Sequence, residues 1–275
     1  MKIFLTSLAA VFTLVASAGA DVVITLTGTE PAGAAVKVGK PTGKQTSATS
    51  ARFKSNKSVV NGVTESDRDF GQTFMTGAEG FFLDRITTKL GPLPIGEGVF
   101  GAEVSVQLFE VSGTARVNDN GTKTGKVAEW CEDPRVDDFM EGEVYTSLGV
   151  ARLGRLPAFL MPGQLVVLNF VKGDRVRLKP NTQYGFLFMF NSAAPDRALS
   201  FETAYWADYA QGHAIRREAS GDVVRRSAVE PTTRAGTKSD VFSDMVFWVE
   251  GSDAGSATAV VTSGGGDVPL PLPKQ

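Results

Sequence analysis

The stretch Phe70–Gly91, FGQTFMTGAEGFFLDRITTKLG, decides the fold class. Gln72-Thr73-Phe74 is short and β-prone, and the glycines at 77 and 80 break it. A second strand is expected over about Phe82–Leu90, with Ile86, Thr88 and Leu90 on one face and Arg85, Thr87 and Lys89 on the other. Such alternation marks a strand with one wet face. Leu83 falls on the polar parity, so a β-bulge or the strand start is expected near Asp84.

The same grammar recurs outward from this stretch. Asp21–Thr27 reads as a first strand, and Ala102–Glu110 alternates cleanly, with Val104, Val106 and Leu108 opposed to Glu103, Ser105 and Gln107. Further strands are expected at Val144–Leu153, Gln164–Val171, Tyr184–Asn191, around Leu199 and Phe201, and at Val241–Glu250. Gln164–Val171 is apolar on both faces and should be central; Tyr184, Phe186, Phe188 and Phe190 share one face, as befits the middle of a sandwich. No convincing amphipathic helix follows the N-terminal segment, and no fixed repeat is visible. The expected fold is all-β: an antiparallel β-sandwich, in its preferred version a jelly roll.

The chain has 275 residues and a net charge of −2. That length can bury a core without disulfide staples, and one sandwich can account for it. The near-neutral balance implies neither nucleic acid nor an anionic membrane surface as partner. Residues 1–20 read as a secretory signal: Lys2, an apolar run from Ile3 to Val15, and Ala18-Gly19-Ala20 before the expected cut. No later stretch has the run of apolar residues a membrane helix needs. The mature chain is expected to start at Asp21 and to be secreted, periplasmic or at the cell surface. Cys131 is the only cysteine, so no internal disulfide forms.

Residues 21–251 read as one domain with two irregular pieces. Segment 28–60 carries Lys37, Lys40, Lys44, Arg52, Lys54 and Lys57 against Glu30, and reads as a solvated loop or weak edge strand. Segment 111–143 reads as an acidic insertion. Residues 252–275, rich in Gly and Pro, read as a flexible and then extended tail.

Several pieces in order resemble a family. They are Gly71-Gln72-Thr73-Phe74-x-Thr76-Gly77, Leu83-Asp84-x-Ile86-Thr87-x-Lys89-Leu90 and Leu178-x-Pro180-Asn181-Thr182-x-Tyr184, then Asp208-Tyr209-Ala210-x-Gly212-x-Ala214 and Ser243-Asp244-Met245-Val246-Phe247. Across roughly residues 60–250 this order resembles the exported "choice-of-anchor" β-sandwich modules of bacterial surface proteins, often found with a PEP-CTERM sorting tail. The resemblance implies an extracellular, carbohydrate-binding-like jelly roll. The chain departs from it at Val268–Gln275, which has no hydrophobic helix and no basic cluster, so membrane sorting by such a tail is not expected.

Candidates for chemistry are few. The sole histidine, His213, lacks a Gly-x-Ser-x-Gly elbow anywhere in the chain. One His and one Cys make a poor zinc set. Calcium takes carboxylate oxygens from loops, and Asp133, Asp137 and Asp138 are its best donors, although Arg135 breaks the EF-hand spacing. A sugar ring stacks its C–H face on an exposed aromatic while planar polar groups read its hydroxyls. The densest such set is Tyr205, Trp206, Asp208, Tyr209, Gln211 and His213, in what should be a loop after a strand. The bland alternative is that Trp206 and Tyr209 cap the core and Asp208 fixes a turn. The expected function is a secreted, non-catalytic module binding polysaccharide or a cell-surface glycan. The alternatives are a structural or adhesive protein contacting envelope or matrix proteins and, third, a polysaccharide-active enzyme.

Overall fold

The computed structural model describes residues 22–32, 36–38, 45–60, 63–118, 139–171, 175–205, 209, 211–218 and 244–252. Strands are numbered β1–β17 in chain order. A six-stranded sheet runs β1 (Val22–Thr27), β11 (Leu165–Phe170), β7 (Phe81–Lys89), β17 (Phe247–Ser252), β2 (Val36–Val38), with β12 (Arg177–Leu178) also on β7. A nine-stranded sheet runs β10 (Arg152–Arg155), β8 (Glu103–Asn118), β13 (Gln183–Phe190), β6 (Arg68–Met75), β3 (Gln45–Arg52), β14 (Ala198–Tyr205), β16 (Asp244–Met245). In it β9 (Phe139–Ser147) joins β8 and β15 (Ala214–Glu218) joins β6, while β4 (Val59–Val60) and β5 (Val63–Thr64) form a separate ribbon. All these pairings are antiparallel.

Alternation puts one face of each sheet into a shared core. Ile86, Leu168, Phe247 and Val249 come from the first sheet, and Phe70, Phe74, Phe186 and Phe201 from the second. Phe247 meets Phe74 and Phe186 across the gap, each pair at 6.5 Å between centroids. This is face-to-face sandwich packing. The two sheets also meet at their sides. The segment 244–252 starts on β14, changes sheets at Val246 and continues on β7. At the switch Val246 donates its N–H to Glu202 and accepts from Lys89. On the other side a Cβ on Gly154 of β10 would lie 2.8 Å from Val22 of β1, so these two edges shield each other.

The parity break at Leu83 is a bulge, as expected. Arg85 pairs Glu250 and Leu83 pairs Gly251, which leaves Asp84 as the extra residue. Leu83 and Ile86 can therefore both face the core. β11 lies between β1 and β7, and β13 between β8 and β6, both central as expected.

Four boundaries differ from the sequence reading. The strand expected to end at Glu110 continues to Asn118, and β9 starts at Phe139, so a hairpin arm enters the acidic insertion from both sides. Ladder hydrogen bonds between two arm strands need no apolar alternation, so the pattern did not mark them. The single strand expected over 144–153 is two, parted at a turn where Gly149 has φ +92°. The segment 28–60 contributes β3, which lies between β6 and β14 rather than at an edge. Three of its cations are matched inside the chain: Arg52 and Lys54 reach Glu65, and Lys57 reaches Asp67. Burial alone would raise the Glu65 carboxyl, but the Lys54 hydrogen bond and the Arg52 charge bring it below its ordinary value. The last strand, expected as one, is two short pieces on different sheets.

Candidate binding site

Of the aromatic–acid set, Tyr205, Tyr209, Gln211 and His213 lie among the described residues. Tyr205 ends β14; Trp206 and Asp208 lie outside the described residues, as do Asp133, Asp137 and Asp138 of the calcium reading and Cys131. Gln211 is exposed. Tyr209 and His213 are not a sugar platform, because both are turned inward onto β6. The Tyr209 hydroxyl accepts the Met75 N–H at 2.9 Å, and its ring stands edge-on to Phe247 at 5.8 Å. Burial pushes that hydroxyl's pKa well up, against the opposing pull of the Met75 bond. His213 is only 3% exposed. Its backbone N–H donates to Thr73 Oγ1 at 2.9 Å, and its carbonyl accepts the Thr73 N–H at 2.9 Å. Capping of the core by Tyr209, the bland reading, is what the structure shows.

The side chains of Thr73, His213 and Glu143 stand in the order of a nucleophile, an imidazole and a carboxylate. His213 Nδ1 is 3.2 Å from Thr73 Oγ1, and Nε2 is 3.1 Å from Glu143 Oε2. A catalytic set must also meet a substrate. Here Thr73 is 0%, Glu143 1% and His213 3% exposed, and the carboxylate already accepts the Tyr145 hydroxyl and the Gln183 amide. Apolar neighbours Phe109, Val111, Leu187 and Ile215 pack on the same outer face of the nine-stranded sheet. Desolvation lowers the His213 pKa to about 4, which keeps the ring neutral near pH 7. The arrangement is a polar brace. Among the described residues no group of three His, Cys, Asp or Glu side chains could hold a metal ion.

Most of the motif residues turn out to contact one another around β6. Gln72 donates to Asp244 at 2.6 Å and accepts the Met245 N–H at 2.8 Å. Thr76 donates its hydroxyl to the carbonyls of Lys179 and Thr182, and Gly77 accepts the Asn181 N–H. Gly212 lies so close to β6 that a Cβ would run into the Thr73 carbonyl. These residues hold strands and loops together.

An open groove lies at the end of the six-stranded sheet, where β1 leaves it and β11 enters. It encloses about 520 Å³ and is lined by Leu26, Thr27, Gly28, Glu30, Lys89 and the turn 162–165. The turn holds its shape because the Gln164 side chain accepts the Met161 N–H at 2.7 Å and Gly163 takes φ +79°. The Lys89 ammonium is held 2.7 Å from Glu202 on the neighbouring sheet.

The turn belongs to a longer loop, 156–164, which runs beside the loop 91–101. Leu90 donates to the Gln164 carbonyl at one end, and at the other Gly101 donates to Pro157 and Leu156 to Ala102. Residues 156–171 carry no charged side chain. Leu160 is buried, but Phe159 is 61% exposed, with Met161 and Leu93 also exposed. Phe100 stacks on Phe159 at 6.1 Å and 26°. The sequence signal was an apolar run in a loop bracketed by Pro157 and Pro162, which passes easily for core.

No family model, curated protein or solved structure matches this chain.

Proposed function

We propose that the protein is an exported, non-catalytic β-sandwich module that binds polysaccharide or a cell-surface glycan, with the jelly-roll path as the expected connectivity. The observation that carries this reading is the groove beside the turn 162–165. It is open, and it mixes apolar walls (Leu26, Leu165) with hydroxyl, carboxylate, amide and ammonium groups able to read sugar hydroxyls. Gly28 offers a clean test. It lines the groove, and an added Cβ there meets nothing within 4 Å. Mature protein from Asp21 onward is screened for retention on soluble and insoluble polysaccharides, with and without calcium. Retention by the wild type and its loss in Gly28→Trp, at unchanged thermal stability, is the expected result. Wild-type protein retained by none of them overturns the reading. Export is checked by finding Asp21 at the N-terminus of secreted protein.

A structural or adhesive role on envelope or matrix proteins is the second reading. The exposed Leu93, Phe159 and Met161 favour it, because apolar groups in solvent suit a protein contact. It predicts self-association or matrix retention with no glycan dependence.

A further inference from the structure

We infer that the loop 156–163 is a second contact point for the same glycan, with Phe159 as a stacking platform beside the groove, so that the ligand is a chain longer than the groove itself. The inference rests on the polysaccharide reading above. Phe100 backs one face of Phe159 at 6.1 Å, and 61% exposure leaves the ring open to solvent on its free side. A pyranose C–H face needs such a flat, supported ring. The platform is fixed at its base, since Leu160 is anchored in the core and Gly101 holds Pro157. Phe159 stands three residues before the groove wall at Pro162, a chain span of at most about 11 Å. A few linked sugar rings cover that distance. The loop carries no charge, which suits a neutral chain and gives an ionic ligand nothing to pair with.

The test measures affinity of mature protein for cello-, xylo-, manno- and chito-oligosaccharides, from disaccharide to hexasaccharide. Wild-type affinity should rise with length. Phe159→Ala should bind the shortest ligand unchanged and the longest about tenfold more weakly, and Phe159→Tyr should restore the gain. If Phe159→Ala matches wild type at every length while Gly28→Trp abolishes binding, the platform is overturned and the groove reading stands. Absence of wild-type binding to any of these sugars overturns the platform, and the polysaccharide screen decides the groove reading separately. Self-association lost in Phe159→Ala would make the loop a protein contact and overturn the platform.

Discussion

Strand β6 and the loop 156–164 are opposite kinds of place. Along β6 and the residue after it, polar groups are answered from distant parts of the chain: Gln72 by Asp244, Thr73 by His213, Met75 by Tyr209 and Thr76 by Thr182. Along 156–164 the chain is uncharged, and Phe159 and Met161 stand largely in solvent. Many of the motif residues lie on β6 or bond to it and the turn after it. They therefore speak about how the sandwich is braced and say little about its ligand. Function has to be sought where bracing is absent.

Substitutions on β6 should then be costly. The largest effect is expected at Gly71, where a Cβ would run into the backbone carbonyl of Phe186. Backbone on a central strand cannot step aside, so Gly71→Ala should lose more than about 3 kcal/mol, or fail to fold. Urea unfolding measures it, and a loss under about 1 kcal/mol would show that β6 is slack. Next is Gln72→Leu, which removes one hydrogen bond from buried Asp244 and one from the Met245 N–H. The expected loss is about 3 kcal/mol, and a near-neutral result would mean that the Asp244 contact is incidental.

The brace also predicts a pH dependence. Burial depresses His213 from 6.5 to about 4, so between those values the unfolded chain takes up a proton that the folded chain refuses. Stability should fall as pH falls through that window and level off below it. The full gap corresponds to roughly 3 kcal/mol. The contribution is isolated by subtracting the pH profile of His213→Gln from that of the wild type. A zero difference between pH 6.5 and 4 would show that the ring charges freely in the fold.

The sequence showed most of the first region's architecture and little of its chemistry. The bulge at Asp84 was legible because it breaks a period of two, which is a local pattern. The sheet switch at Val246 was not, because Met245, Phe247 and Val249 keep facing the core whichever sheet their backbone pairs with. His213 looked like a loop residue beside Gly212. What buries it comes from Thr73 and Glu143, and no local pattern records a partner that remote. The groove was invisible for the same reason: its walls come from β1, β7 and the 162–165 turn, and none of them is unusual alone.

The smallest expected effect separates the two regions most sharply. Phe159→Ala deletes a large side chain, and at a core position that would cost several kcal/mol. Here the ring is 61% exposed and its main partner is Phe100. Only the stacking contact and a modest buried area are lost, so the change should stay within about 1 kcal/mol. A loss comparable to that of Gln72→Leu would mean that the ring is part of the core's support and stands exposed for structural reasons. A small loss leaves a large aromatic in water that folding does not need, on a neutral loop beside an open groove. Such a ring is free to make the contact proposed above.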